Sequence, residues 1–166
     1  MSSSSSLSVL NSYYDTIIED LSSKYSTESS NNPQLENVLS HFKKVLDYNI
    51  VDGKNLRGRI VIDTIRAITS ESNDELLLLK QAAILGWCIE LMQGSFLVAD
   101  DLMDHSITRR GKPCWYLNIK EKEWAVNDAY YLLSCTFILL NKYFPTNYKL
   151  FHLFNEVFQR TVIGQG

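Results

Sequence analysis

The chain has 166 residues, of which 45% are hydrophobic and 21% are charged, an ordinary balance for one globular domain with a sizeable core. A net charge of −3 gives no reason to expect nucleic acid or an anionic membrane as a partner. Cys88, Cys114 and Cys135 are too far apart for a zinc site, and without a secretory signal they predict reduced thiols in a cytoplasmic protein.

The first half of the chain is predicted to be helical after a disordered, serine-rich tail at 1–6. Apolar residues recur at helical spacing over 7–21. Asn32–Pro33 has the pattern of an N-cap followed by a proline in the first turn, and it predicts a second helix that ends before Asp52–Gly53. A third helix is predicted over about 57–69, so the helical domain is expected to run from residue 7 to the end of the chain.

The fourth predicted helix is the central one. Ser72 and Glu75 have capping-box spacing, and the helix continues through Asp101. It is apolar nearly all round, which predicts burial on every side. Its longest apolar stretch, 82–103, is interrupted by acidic and polar residues, so we expect a core helix and not a membrane span.

Two further helices are predicted after a loop marked by Gly111 and Pro113. They cover about 125–142 and about 147–164, with Pro145 between them. No alternating strand pattern is sustained, so the fold class is all-α. The apolar stripes of the last two helices require packing partners.

Three carboxylates lie at the end of the central helix. Asp100 and Asp104 are one turn apart on the same face, and Asp101 lies beside them. A helix C-terminus carries partial negative charge, so these groups need a positive partner. One candidate is Mg²⁺, which prefers carboxylate and phosphate oxygens; the other is a simple ion pair with Arg109 and Arg110. The D-D-x-x-D pattern alone leaves both open.

Two basic loops change that balance. Arg109–Arg110–Gly111 follows the carboxylates, and arginine binds phosphate with two parallel hydrogen bonds. Gly53–Lys54–Asn55–Leu56–Arg57 is a second basic segment at a helix start, where anions are favoured. Gln93 lies two turns before Asp100 on the same face. One metal-type acidic cluster with two basic loops suits a substrate that has a diphosphate head and an apolar body.

These residues resemble a known family. Residues 86–116 read GWCIELMQGSFLVADDLMDHSITRRGKPCWY and closely resemble the first aspartate-rich region of eukaryotic farnesyl diphosphate synthases, which are head-to-tail isoprenyl transferases. DGKNLRG at 52–58 is similar to that family's G-K-x-x-R-G element, and NDAYYL and IGQ match further along. The resemblance implies a bundle of antiparallel helices around a deep cavity, usually dimeric. It also implies condensation of isopentenyl diphosphate with dimethylallyl or geranyl diphosphate to farnesyl diphosphate.

The resemblance also implies a role for each matching residue. Asp100, Asp101 and Asp104 would be the catalytic carboxylates, with Asp100 and Asp104 binding Mg²⁺ and Asp101 supporting them. Arg109 would hold the allylic diphosphate. The remaining assignments are Lys54, Arg57, Gln93 and Arg110 for isopentenyl diphosphate, and Thr161 and Gln165 near the allylic pocket. The reaction needs no protein nucleophile, so His41, His105 and His152 are interpreted as incidental.

One departure from the family pattern concerns product length. The fourth and fifth residues before the first aspartate are usually aromatic and form the floor of the cavity. Here they are Phe96 and Ser95. Serine removes most of a ring's volume, which suggests a product longer than farnesyl, such as geranylgeranyl. The alternative is that another bulky side chain fills the space.

A second departure is that the family's second aspartate-rich motif does not occur in this sequence. The chain is therefore predicted to be the N-terminal portion of a synthase, with little turnover alone. Its last helix is expected to leave five apolar residues without packing partners: Leu150, Leu153, Phe154, Val157 and Phe158. A terpene cyclase is a rival, but it needs no second diphosphate site, so Lys54, Arg57 and Gln93 argue against it. A homodimer, or a non-catalytic partner of a full-length synthase, is the remaining expectation.

Overall fold

The computed structural model describes residues 5–23, 25, 28, 32–51, 53–69 and 74–165. Within them the chain is helical apart from one short hairpin, which confirms the all-α prediction. The elements are α1 (Ser6–Asn11), α2 (Tyr14–Ser23), α3 (Pro33–Ile50), α4 (Leu56–Ile68), α5 (Glu75–Met103), β1 (Thr108–Arg109), β2 (Lys112–Pro113), a 3₁₀ turn (Trp115–Leu117), α6 (Trp124–Tyr143) and α7 (Tyr148–Gln165).

α5 is the centre of the fold, as its sequence predicts. Its buried residues lie on all sides of the helix, and α4 and α6 pack along it. A Cβ on Gly94 would lie 2.4 Å from the Cδ1 atom of Ile50, so the end of α3 fits against a position without a side chain. Of the described helices, α5 alone is long and apolar enough to span a membrane, but 67% of its most apolar window is buried in the fold. That burial is the arrangement of a core helix.

The first predicted helix is in fact two helices. Tyr13 N and the indole nitrogen of Trp87 both donate to the carbonyl of Leu10, at 3.2 and 2.8 Å. This long-range hydrogen bond lies at the break between α1 and α2, and periodicity over 7–21 carries no sign of it. Residues 1–4 of the predicted disordered tail lie outside the described residues; at its end, α1 begins at Ser6, and Ser5 Oγ accepts a hydrogen bond from Ser8 N at 3.2 Å.

The start of α3 is capped as the sequence predicts. Asn32 Oδ1 accepts from the backbone nitrogens of Gln34 and Leu35, at 3.1 and 3.2 Å, which confirms the predicted N-cap. Ser72 of the predicted capping box and Asp52 of the predicted helix stop lie outside the described residues.

The predicted loop at 111–113 belongs to a short β-hairpin with a two-residue turn. Thr108 pairs with Pro113 and Arg109 pairs with Lys112. Arg110 and Gly111 form the turn with φ of 54° and 77°, the left-handed values that a type I′ hairpin requires. The hairpin therefore turns Arg109 and Arg110 in different directions, which the sequence pair alone does not indicate.

The last helix, α7, is only partly unpartnered. Leu153 and Val157 are exposed, in agreement with the expectation from sequence. Phe154 is buried, and Phe158 is half-buried against α5, so for these two residues the expectation was wrong. The side of α7 that carries the phenylalanines is therefore packed onto the core, with Phe158 against Phe96 of α5.

Candidate functional site

The three predicted carboxylates end α5 in three different environments. Asp101 is 4% exposed, Asp100 is half-buried, and Asp104 is exposed. The backbone N–H of Asp104 donates to the carbonyl of Asp100 at 2.8 Å, so the two lie one turn apart along the last turn of the helix. Asp100 and Asp104 are thus open to solvent at the helix end, whereas Asp101 is held inside.

Arg109 supplies the positive partner for the buried carboxylate. Its Nε and Nη2 atoms donate to Asp101 Oδ1 at 3.0 and 2.5 Å, and Nη2 also reaches Asp100 Oδ2 at 3.0 Å. The hydrogen bond with Asp101 raises the pKa of the Arg109 guanidinium. This ion pair stabilises a negatively charged helix end that would otherwise be unfavourable. The simple pairing left open by the sequence is thus present for Arg109 and not for Arg110.

Arg110 contacts the other basic segment. Its Nη1 atom donates to the carbonyl of Asn49 at 3.3 Å, and a Cβ on Gly53 would lie 2.7 Å from the same atom. Gly53 therefore leaves the space that the guanidinium occupies. Lys54 and Arg57, which follow Gly53, are exposed and make no hydrogen bond or ion pair with any part of the chain that the structure describes. The structure thus brings the two predicted basic loops together and leaves two cations free to bind an anion.

Three of the four predicted pocket residues, Phe96, Thr161 and Gln165, lie on the sides of α5 and α7 that face each other. Gln165 Nε2 donates to Asp100 Oδ1 at 3.0 Å, which joins the end of α7 to the acidic cluster. One turn below Asp100, the ring of Phe96 stacks on Phe158 with centroids 5.7 Å apart and planes 12° apart. Thr161 lies between Gln165 and Phe158 along α7; it is exposed, and its hydroxyl donates to the carbonyl of Val157 at 2.8 Å.

Ser95 does not share that face. It is buried, and its hydroxyl donates to the carbonyl of Met92 in its own helix at 3.0 Å. Phe158, the residue of α7 that stacks on Phe96 of α5, was not identified from the sequence. The available signal was helical spacing, since Phe158 lies seven residues, two turns, before Gln165 on the same face of α7.

A small cavity lies behind the hairpin, between α3 and α5. It has a volume of about 30 Å³, enough for one or two water molecules. Tyr48 lines it and donates its hydroxyl to the carbonyl of Pro113 at 2.7 Å, while Asn118 Nδ2 donates to the carbonyl of Cys114 at 2.9 Å. The Tyr48 bond joins the hairpin to α3, and the Asn118 bond stabilises the 3₁₀ turn that follows the hairpin.

The donor set of the acidic cluster fits Mg²⁺ in a limited way. Within the residues described, no group of three or more histidine, cysteine or acidic side chains could hold a metal. Asp100 and Asp104 offer two carboxylates, and Mg²⁺ in proteins is commonly held by one or two carboxylates with phosphate oxygens and water in its other positions. The residues therefore fit Mg²⁺ together with a phosphate-bearing ligand. Both Asp100 oxygens are engaged by Arg109 and Gln165, so binding requires an exchange of partners.

One histidine is part of a buried network. Asp128 is fully buried; its Oδ1 lies 2.8 Å from His41 Nε2, and its Oδ2 accepts from the Trp115 indole at 2.7 Å. The network joins α3, the 3₁₀ turn and α6. Sequence reasoning found no partner for His41 because residue 128 is 87 positions away.

Comparisons with known proteins show the family and the fold of the chain. The family model described as Polyprenyl synthetase matches residues 39–166. Farnesyl pyrophosphate synthase of Candida albicans is 41% identical over 157 residues, an alignment that covers 92% of this chain and 44% of that protein. The corresponding enzyme of Bos taurus is 38% identical over 141 residues, with 83% of this chain and 40% of the relative covered.

The crystal structure of T. brucei farnesyl diphosphate synthase superimposes with a TM-score of 0.88 at 32% identity, over 96% of this chain and 46% of that one. The chain thus spans less than half the length of these relatives and aligns with their N-terminal half. It belongs to the polyprenyl synthetase family, and its helices have the fold of the N-terminal half of a farnesyl diphosphate synthase.

Proposed function

We propose that this chain contributes one half of a prenyltransferase site that joins isopentenyl diphosphate to dimethylallyl or geranyl diphosphate and gives farnesyl diphosphate. The main support is one arrangement: an acidic helix end paired with Arg109, beside a basic segment whose Lys54 and Arg57 have no partner among the described residues. Two separate positive sites suit two diphosphates. The relatives named farnesyl pyrophosphate synthase support the same reaction.

In this proposal the acidic cluster binds the allylic substrate. Asp100 and Asp104 would hold Mg²⁺, and the bound ion would supply positive charge to the diphosphate leaving group. Arg109 donates to the same diphosphate, and its pairing with Asp101 keeps the guanidinium in place. As the carbon–oxygen bond breaks, the positive charge moves to the allylic carbon. The apolar walls of α5 and α7 keep water from that cation.

The basic segment binds the second substrate. Lys54, Arg57 and Arg110 provide the cations for isopentenyl diphosphate, and Gln93 adds an amide donor from α5. The double bond of isopentenyl diphosphate then attacks the allylic carbon, and loss of a proton completes the condensation. A terpene cyclase has no use for this second site, so the free cations favour the transferase.

The packing of α7 bears on product length. The space beside Phe96 is occupied by Phe158, whose ring stacks on it directly below the Asp100–Gln165 contact. This packing supports a farnesyl-length pocket bounded by Phe96, Phe158 and Thr161, and it favours that product over geranylgeranyl despite Ser95.

The partner proposal rests on the free side of α7. Leu153 and Val157, one turn apart, are exposed there, and exposed apolar residues that lie side by side can mark association sites. We propose that this side is covered in a homodimer or in association with a full-length synthase, and that the protein acts in the cytoplasm. A purely non-catalytic partner role has no specific contact in its favour.

The test compares binding of the two substrate classes by calorimetry. Chain 1–166 is titrated with isopentenyl diphosphate, and with the unreactive dimethylallyl S-thiolodiphosphate in the presence of Mg²⁺. Lys54→Met is expected to weaken isopentenyl diphosphate about tenfold and to leave the thiolodiphosphate unchanged. Arg66→Met, at the other end of α4, is the matched control. Equal loss for both ligands, or no binding by the unaltered chain, would contradict the two-site proposal.

A further inference from the structure

Glu90 is a buried acidic residue that the proposed chemistry does not use. It lies in the middle of α5 and is 5% exposed. Its Oε1 atom accepts a hydrogen bond from the backbone N–H of Gly58 at 2.8 Å. Gly58 belongs to the first turn of α4, so this bond joins two helices 32 residues apart in sequence.

The start of α4 lacks a cap of its own. The first backbone N–H groups of a helix have no partner within the helix and usually receive an oxygen from the N-cap side chain. Here the N-cap is Asn55, which is in the left-handed region at φ 44° and makes no such hydrogen bond. Its Oδ1 atom is buried without a partner. Glu90 therefore supplies, from another helix, an oxygen that the local sequence does not.

The same contact region holds the two helices very close. A Cβ on Gly86 would lie 2.9 Å from the carbonyl oxygen of Gly58 and 3.1 Å from its Cα. Gly86 is one turn before Glu90, so α4 begins with its backbone against α5. A glycine–glycine contact sets the distance between helices but does little to fix rotation, because neither residue has a side chain. The directional bond from Gly58 to Glu90 fixes the orientation of the first turn.

We propose that Glu90 is a positioning residue for isopentenyl diphosphate. By holding the first turn of α4, it sets the direction of Lys54 and Arg57. Gln93 is three residues after Glu90 and so lies on the adjacent turn of the same side of α5. The bond thus aligns the cations of α4 with the amide of α5. This inference rests on the proposed two-site function, and it adds a residue that touches neither substrate.

The variants separate the hydrogen bond from burial and charge. Glu90→Gln keeps a side-chain oxygen that accepts from Gly58. Glu90→Leu removes it at similar volume, and Glu90→Asp shortens the side chain by one carbon. The matched control is Thr136→Val. It removes a buried hydroxyl that donates to the carbonyl of Cys88, on the opposite side of α5, at 3.3 Å. Each chain is tested by amide hydrogen exchange, thermal unfolding and calorimetry with the same two ligands.

Glu90→Leu and Glu90→Asp are expected to speed exchange of the Gly58 amide at least tenfold and to weaken isopentenyl diphosphate about tenfold. Affinity for dimethylallyl S-thiolodiphosphate should stay within twofold. Glu90→Gln should keep the original exchange rate of the Gly58 amide and the original affinity for isopentenyl diphosphate. Thr136→Val should lower the unfolding temperature without changing either of them.

The opposite results separate two failures. If Glu90→Leu weakens both ligands equally, or if Thr136→Val has the same ligand effects, Glu90 is only structural and the positioning role is wrong. If the Gly58 amide exchanges at the original rate in Glu90→Leu, the cap itself is wrong, whatever the ligands do. If the unaltered chain binds neither ligand, the two-site function fails and this role fails with it.

Discussion

Replacing Arg109 with methionine tests the charge balance of the acidic helix end. The substitution keeps an unbranched side chain but removes the guanidinium that donates to Asp101 and Asp100. Asp101 has only 5% of its side chain exposed, and it would then be a buried carboxyl without its partner. Asp100 would also keep its position at a negatively polarised helix end, because Gln165 still holds it.

The magnitude follows from the exposure of the two partners. Removing one member of a fully buried ion pair costs about 3–5 kcal/mol, whereas exposed pairs contribute about 0–1 kcal/mol. Arg109 is 37% exposed and Asp101 is nearly fully buried, so the pair lies between these limits. We expect Arg109→Met to lower the free energy of unfolding by about 2 kcal/mol, a shift of roughly 1 M in the urea midpoint for a chain of this size.

The control is another arginine with a similarly short contact. Arg160 donates to Glu156 at 2.6 Å within α7, with 77% and 41% of the two side chains exposed. Arg160→Met should lower the free energy of unfolding by less than about 0.5 kcal/mol. Urea unfolding followed by circular dichroism gives both values, with unchanged slopes as the check on two-state behaviour. Equal midpoint shifts for the two variants would refute the reasoning from burial.

Three other substitutions test separate parts of the structure. Phe158→Ala opens the space beside Phe96, so affinity for farnesyl relative to geranyl S-thiolodiphosphate should rise roughly tenfold by calorimetry, and an unchanged ratio would remove Phe158 from the pocket. Burial, with a hydrogen bond involving Asp101, raises the pKa of the Cys114 thiol from 9.0 to about 11. Above pH 9 the unfolded chain therefore loses this proton before the folded chain does, and the free energy of unfolding falls between pH 9 and 11. Cys114→Ala should make the fall of the urea midpoint over this range shallower. An unchanged pH dependence would contradict the raised pKa of Cys114. Asp128→Asn replaces one carboxylate oxygen with an NH₂ group that cannot accept the hydrogen bonds offered to the buried side chain. It should lower the free energy of unfolding by about 1–3 kcal/mol. An unchanged urea midpoint would show that the network is dispensable.

Local patterns were sufficient to predict α3 and the central position of α5. The N-cap at Asn32 depends on contacts within three residues, and the sequence contains all of them. The centrality of α5 follows from its apolar composition on every side. By contrast, the break between α1 and α2 lies at a hydrogen bond from Trp87, which is 77 residues from Leu10. Periodicity within 7–21 has no access to that contact.

In the candidate site, too, local sequence predicts some features and long-range contacts determine the others. The carboxylates and arginines could be named from sequence, because residue type and spacing indicate which charges belong together. Their individual environments could not be, since the left-handed turn at Arg110–Gly111 is what directs Arg109 back to Asp101 and Arg110 towards Gly53. Phe158 was missed for a related reason, as the pairing of α5 with α7 sets which of its aromatic residues meets Phe96.

The hydrogen bonds of Arg109 indicate how one residue can serve both stability and binding. Nε donates to Asp101, and Nη2 is shared between Asp101 and Asp100. Nη1 makes no bond to the described part of the chain, so a diphosphate can approach it while the Asp101 contact stays intact. Only the contact between Nη2 and Asp100 would have to be released, and Asp100 is one of the two carboxylates proposed to bind Mg²⁺. In the proposed function, Asp101 would therefore keep the arginine in place, while Asp100 would exchange its guanidinium contact for a contact with the metal ion.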